Sequence, residues 1–167
     1  EVIMVEHEPP KWLVLDGYED EPAAFGVPPY VGFHIRYLCG VLENHGIDYQ
    51  YMTIDQWRNL LRASDQTAER LLRNIAGFAC IAGAVVPGKY LRGTPVSINE
   101  INEIVQFLPN NVPAILGGWA IRGWRHQGWN PLRKNLFLSL QDTDATLDYF
   151  LRHDTWKHCR RTAAQWT

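Results

Sequence analysis

What this sequence has little of already narrows its class. Its three cysteines, Cys39, Cys80 and Cys159, are odd in number, widely spaced and never set as C-x-x-C. Neither a disulfide framework nor a zinc knuckle is indicated, and a reducing, cytoplasmic setting is expected. No apolar run approaches the roughly 18–20 residues of a spanning helix, and the N-terminus lacks the basic-then-apolar order of a signal peptide. An excess of one charge is also missing. Sixteen Lys and Arg stand against 18 Asp and Glu, for a net charge of −2. That balance gives no footprint for a phosphate backbone and disfavours a nucleic-acid role. No G-x-G-x-x-G follows the first apolar run, no Walker A sequence occurs, and no Ser-His-Asp or Cys-His pairing can be inferred.

What is present is ordinary globular material: 167 residues, 46% hydrophobic and 20% charged. That is enough for one domain with its own core. The chain starts at Glu1 rather than Met and stops at Thr167 without a terminating motif, so a piece of a longer protein is expected.

Glu1 to Pro10 reads as a lead-in, and Trp12 to Leu15 as a strand buried on both faces. Val31 to Asn44 carries Ile35, Leu38, Val41 and Leu42 on one helical face, with Gly46 placed as a C-cap glycine. A short strand is expected at Tyr49 to Thr53. Thr53 with Gln56 then forms a capping box for a helix, and a break at Ser64-Asp65 leads to a further helical segment. Gly77 to Ala82 is a second buried strand. Ser97 with Glu100 forms another capping box, ahead of a stripe of Ile98, Ile101, Ile104, Val105 and Leu108 that Pro109 closes. Pro113 to Leu116 and Leu136 to Leu140 supply two more strands, and Asp142 can cap a last helix through Leu151. Between them Gly-Trp recurs three times at a five-residue step, which suits neither a helix nor a strand face; a loop or short irregular helix is expected.

Strand and helix thus alternate five times. The pattern predicts an α/β fold, a doubly wound, mainly parallel five-stranded sheet of Rossmann-like or flavodoxin-like type, over residues 1–152. Residues 153–167 read as a polar, basic linker or extension toward a downstream domain. Right-handed crossovers would gather the strand-end glycines, Gly17, Gly83 and the pair Gly117-Gly118, on one edge of the sheet, where such folds bind ligands.

Two connectors are unusual. The first runs from Asp16 through Glu19, Asp20 and Glu21 to Val27-Pro28-Pro29-Tyr30, well beyond the ~2–6 residues such a junction needs. Its carboxylates could hold a cation or act as acid and base, but solvated charge is the simpler reading, except for Asp16, which directly follows a buried strand and must cap the loop or face the cleft. The two prolines stiffen the presentation of Tyr30, for a ligand or as a helix-entry staple. The second connector, Val86-Pro87-Gly88-Lys89-Tyr90-Leu91-Arg92-Gly93-Thr94-Pro95, offers glycines for close backbone approach and two cations for a phosphate or carboxylate. The Gly-Trp stretch, with Arg122, Arg125 and His126, suits stacking on a planar cofactor or a partner domain, or plugging gaps at the sheet edge. His34 and His45 are read as ordinary surface histidines.

The motifs DGYEDEP, VPPY, VPGKYLRGTP and ILGGWAIRG together resemble the N-terminal domain of a group of radical S-adenosylmethionine proteins, in which a cobalamin-binding-like α/β domain precedes the radical barrel. The resemblance covers most of Trp12 to Leu151. It implies that the [4Fe–4S] cluster, its C-x-x-x-C-x-x-C motif and S-adenosylmethionine belong to a downstream domain, since this chain lacks the motif. Domains that ligate cobalamin from below carry D-x-H-x-x-G, and Asp16-Gly17-Tyr18 puts tyrosine in the histidine's place. The resemblance therefore implies a cobalamin-type fold in which that cofactor is bound without the histidine, lost or replaced.

The leading expectation is a non-catalytic accessory domain that covers or gates the radical active site and binds cobalamin or a substrate. Its binding residues would be Asp16, Gly17, Tyr18, Tyr30, Gly83, Lys89, Tyr90, Arg92, Gly93, Thr94, Gly117 and Gly118, with no catalytic residue and no metal ligand among them. Its partner would be the downstream barrel of the same polypeptide. Two other classes stay open: a free-standing flavodoxin-like small-molecule or nucleotide-binding module, and a protein interaction module using the Gly-Trp stretch.

Overall fold

The computed structural model of the chain describes residues 10–18, 31–83, 93–131 and 135–153. Among them, five strands and six helices follow one another as β1 (Trp12–Gly17), α1 (Phe33–Asn44), β2 (Tyr49–Thr53), α2 (Ile54–Ala63), α3 (Asp65–Arg73), β3 (Gly77–Ala82), α4 (Ile98–Phe107), β4 (Ala114–Gly117), α5 (Trp119–His126), β5 (Leu136–Leu138) and α6 (Thr143–His153). The strands form one all-parallel sheet in the order β2-β1-β3-β4-β5. This is the flavodoxin-like order, so the chain is a doubly wound α/β domain.

The central strands β1, β3 and β4 are buried along their whole length, as continuous apolar runs demand when helices cover both faces. Alternation along β1 sends Leu13 and Leu15 to one face and Trp12 and Val14 to the other. The first face packs with Phe78 and Cys80 of β3 against α2 to α5 through Trp57, Leu72, Ile101, Ile104 and Ile121. The second packs with Ala79, Ile81 and Ile115 against Ile35, Leu38 and Leu42 of α1 and Leu147 of α6.

Both capping boxes form. Thr53 Oγ1 accepts from the Gln56 N–H at 3.2 Å while Gln56 Oε1 accepts from the Thr53 N–H at 2.8 Å. Ser97 and Glu100 repeat the exchange at the start of α4. These caps place the N-termini of α2 and α4 at the C-terminal edge of the sheet, a step from the ends of β1 and β3.

The structure moves several expected boundaries. β1 runs on through Asp16 to Gly17, because both residues stay in register with β3, opposite Ile81 and Ala82. α1 starts at Phe33 rather than Val31. β4 is Ala114–Gly117, and β5 stops at Leu138, leaving Leu140 40% exposed. The first part of the Gly-Trp stretch is a regular helix, α5, whose Ala120 and Ile121 are buried. The five-residue step conceals this face because the alternate tryptophans are not its buried residues. α6 includes His153, one residue into the expected extension; the rest of that segment lies outside the described residues. Cys39 and Cys80 are free thiols, and among the described residues no helix is long and apolar enough to cross a membrane.

Candidate functional site

The chain leaves β1 toward β2 on one side and returns to β3 on the other, so the sheet order reverses between β1 and β3. A crevice outside the carboxyl ends of the strands opens at such a reversal. Here the strand-end glycines do converge. Gly17 pairs with Ala82, the residue before Gly83, and Gly117 pairs with Ile81. A Cβ on Gly118 would lie 2.4 Å from the Ala82 carbonyl oxygen, and its φ of +99° is a conformation open to glycine.

The two unusual connectors are rooted side by side on this rim. The Val96 N–H, at the exit of the second, donates to the Gly17 carbonyl, at the entrance of the first, at 3.1 Å. Gly17 has no room for a side chain: a Cβ would meet the Ile81 carbonyl oxygen and Val96 Cγ1, both at 2.5 Å.

From this root a polar network runs along the rim. Asp16, 6% exposed, lies on the Trp12/Val14 face and accepts from the Tyr18 N–H on Oδ1 at 2.9 Å and from the Tyr51 hydroxyl on Oδ2 at 3.0 Å. The first bond closes a local turn that holds Tyr18 at φ 59°, a left-handed conformation that non-glycine residues seldom adopt. Of the two roles open to Asp16, capping is therefore realised. Tyr18 is turned inward rather than displayed: it is 6% exposed, and its hydroxyl donates to Asp55 Oδ2 at 3.0 Å. Burial, with the charges of Asp55 and Asp16 and against a hydrogen bond with Thr53, pushes its phenol above the ordinary range. Burial followed by the Asp16 carboxylate does the same to Tyr51.

Arg58 completes the network. Its Nε donates to Glu100 Oε1 at 2.7 Å, Nη1 to Asp55 Oδ1 at 2.9 Å and the Thr94 carbonyl at 2.8 Å, and Nη2 to the Pro95 carbonyl at 3.2 Å and Glu100 Oε2 at 3.1 Å. All five guanidinium N–H groups find acceptors. One side chain thereby clamps the first turn of α2, the first turn of α4 and the exit of the second connector. Burial would raise the Glu100 carboxyl, but hydrogen bonds from Arg58 and Ser97 outweigh it and hold the group below its ordinary value.

Of the expected site residues, Asp16, Gly17, Tyr18, Gly83, Thr94, Gly117 and Gly118 thus belong to one rim, with Gly93 beside Thr94 in the chain. Tyr30, Lys89, Tyr90 and Arg92 lie outside the described residues, as do Glu19, Asp20 and Glu21. Tyr51, Asp55 and Arg58 were not anticipated. The available signal was the i,i+3 pair Asp55/Arg58 on a helix opened by a capping box; the Tyr51–Asp16 contact carries no local signature.

A cobalamin held by a protein ligand to cobalt does not fit these residues. Tyr18, in the histidine's place, has its hydroxyl committed to Asp55 and its ring buried. Among the described residues no group of three or more His, Cys, Asp and Glu is arranged around a metal position. A shallow depression of about 410 Å³ lined by Arg73, Phe107 and Pro109 lies at the opposite, N-terminal edge of the sheet.

No family model matches the chain, and no solved structure matches it. An uncharacterised protein of Methanocaldococcus jannaschii is 39% identical over 93 residues, 56% of this chain and 16% of that protein. An uncharacterised protein of Archaeoglobus fulgidus is 46% identical over 92 residues, 54% of this chain and 16% of that protein. The matched segment thus spans about one sixth of each of these curated relatives, and the likeness is to one part of much longer archaeal proteins.

Proposed function

We propose that this chain is an accessory domain of a longer enzyme, holding a small molecule across the β1/β3 rim beside a separate catalytic domain. The observation that carries the reading is the side-by-side rooting of the two long connectors at the sheet's reversal, through the Val96 N–H to Gly17 carbonyl bond. The small share of the archaeal relatives that the matched segment occupies supports a part within a larger protein. On the motif resemblance, the neighbour is a radical S-adenosylmethionine barrel in the cytoplasm, and its iron–sulfur cluster and S-adenosylmethionine lie outside this chain. The service rendered would be to exclude water from a reactive intermediate and to position its substrate.

Two measurements test this. Reading the gene beyond Thr167 is expected to reveal an in-frame C-x-x-x-C-x-x-C, and a reading frame without one overturns the radical assignment. Thermal unfolding of the chain with hydroxocobalamin, S-adenosylmethionine and nucleotides is expected to show a raised midpoint for a rim ligand, because a molecule that binds only the folded state stabilises it. A free-standing flavodoxin-like binding module is the second reading, favoured by the strand order itself.

A further inference from the structure

The cations of this chain are unevenly used. Arg58, Arg73 and Arg152 each pair with a carboxylate. Arg122 and Arg125 on α5, like Arg36, Arg62 and Arg70 elsewhere, have no carboxylate partner among the described residues, and both are exposed. Their own stretch of sequence offers none: residues 104–141 contain no Asp or Glu, although the chain has 18. The segment that carries α5 is thus cationic in its own sequence, in a chain whose net charge is −2.

That helix opens on the rim. Its N-cap is Gly118, packed on the end of β3, and its first residue, Trp119, is 61% exposed. The Arg122 guanidinium sits over the Trp119 ring, 5.5 Å from its centroid. Arg125, three residues further on, adds a second cation to the same side of the helix. The other tryptophans nearby are accounted for by packing: Trp124 and Trp129 meet edge to face at 5.6 Å, and Trp129 Nε1 donates to Asn102 Oδ1 at 3.0 Å. Trp119 has no such structural duty. A large exposed indole beside unpaired guanidinium groups, next to a ligand-binding rim, matches a flat aromatic ligand that also carries negative charge.

Resting on the rim-binding reading above, we propose that the rim ligand is a nucleotide, its base stacked on Trp119 and its phosphate facing Arg122. A free mononucleotide is favoured over a nucleic-acid strand because the chain as a whole is acidic.

The test is calorimetric titration of the full chain with FMN, AMP, riboflavin, inorganic phosphate and a single-stranded oligo(U). FMN or AMP is expected to bind, and Trp119→Ala to weaken that binding about tenfold, the scale of one lost base stack. Arg122→Gln is expected to weaken the phosphorylated ligands and leave riboflavin unchanged. Both substitutions are on the surface, so the unfolding midpoint should stay at the wild-type value and mark them as folded. Failure of both FMN and AMP to bind, or equal binding to Trp119→Ala, overturns the proposal. Tighter binding of oligo(U) than of either mononucleotide also overturns it, in favour of a strand. The accessory-domain reading fails separately, on a reading frame that carries no further domain or on binding of other molecules away from the rim.

Discussion

The Val96 N–H donates to the Gly17 carbonyl at 3.1 Å, joining the entrance of the connector after β1 to the exit of the connector after β3. Seventy-nine positions apart in the chain, the two residues hold the roots of both long loops at one point of the sheet edge. The contact is possible because residue 17 has no Cβ, which would stand 2.5 Å from both the Ile81 carbonyl oxygen and Val96 Cγ1. Gly17→Ala is therefore expected to destabilise the fold by about 1–3 kcal/mol, the usual cost of an overpacked site. Urea unfolding followed by circular dichroism checks this, and an unchanged midpoint contradicts the packing described.

Arg58 should be the most sensitive polar residue of the rim. Arg58→Leu removes five hydrogen bonds and leaves Glu100, whose side chain is 22% exposed, without its counter-ion. A loss of about 2–3 kcal/mol is expected on the scale of hydrogen bonds to charged groups. Arg58→Lys keeps the charge but offers three donors in place of five and should recover only part of it. Hydrogen exchange should show the amides of Thr94, Val96 and Ser97 opening faster in both variants.

The same pair predicts the acid limb of stability. Because the folded-state carboxyl of Glu100 is held below its ordinary value, its contribution is complete above the unfolded-state value of about 4.3 and is lost as pH falls through the lower folded one. Asp148, lowered by hydrogen bonds from His45 and Arg152, acts in the same direction at the surface between α1 and α6. Stability measured from pH 6 down to about 3 should fall less steeply in Glu100→Gln than in the wild type. Equal slopes would remove Glu100 from this account.

Tyr51 supplies an alkaline counterpart. Burial first, and then the Asp16 carboxylate, lift its phenol above the ordinary range. Asp16→Asn removes the negative charge but not the burial, so the Tyr51 transition should move down toward its ordinary value without reaching it. Spectrophotometric titration of Asp16→Asn against the parent, with Tyr51→Phe to identify the signal, reads this out. No movement would mean that Asp16 does not govern Tyr51.

Much of the architecture is legible in the linear pattern because its causes are local. Trp12 to Leu15 and Gly77 to Ala82 read as strands covered on both faces, and Thr53/Gln56 and Ser97/Glu100 announce helix starts within four residues. α5 is less legible, since Gly123 and the regular spacing of Gly-Trp obscure a short buried stripe of Ala120 and Ile121, with Trp124 half-buried beside it. The burial of Tyr18 leaves no local mark in the sequence. Its inward course depends on a left-handed turn set by Asp16 and on Asp55, which stands 37 residues further along the chain.

The amino-acid order by itself determined the alternation of elements, the burial of the central strands and the glycines that end them, because periodicity, caps and chain reversals act over a few residues. Only the tertiary structure decided which polar groups meet at the rim. Asp16 finds Tyr51, Tyr18 finds Asp55, and Arg58 finds Glu100 because parallel pairing with right-handed crossovers delivers every strand end to the same edge. Partners 35 to 42 residues apart leave no mark on their own neighbourhoods, so a network of this kind exists only once the sheet has assembled.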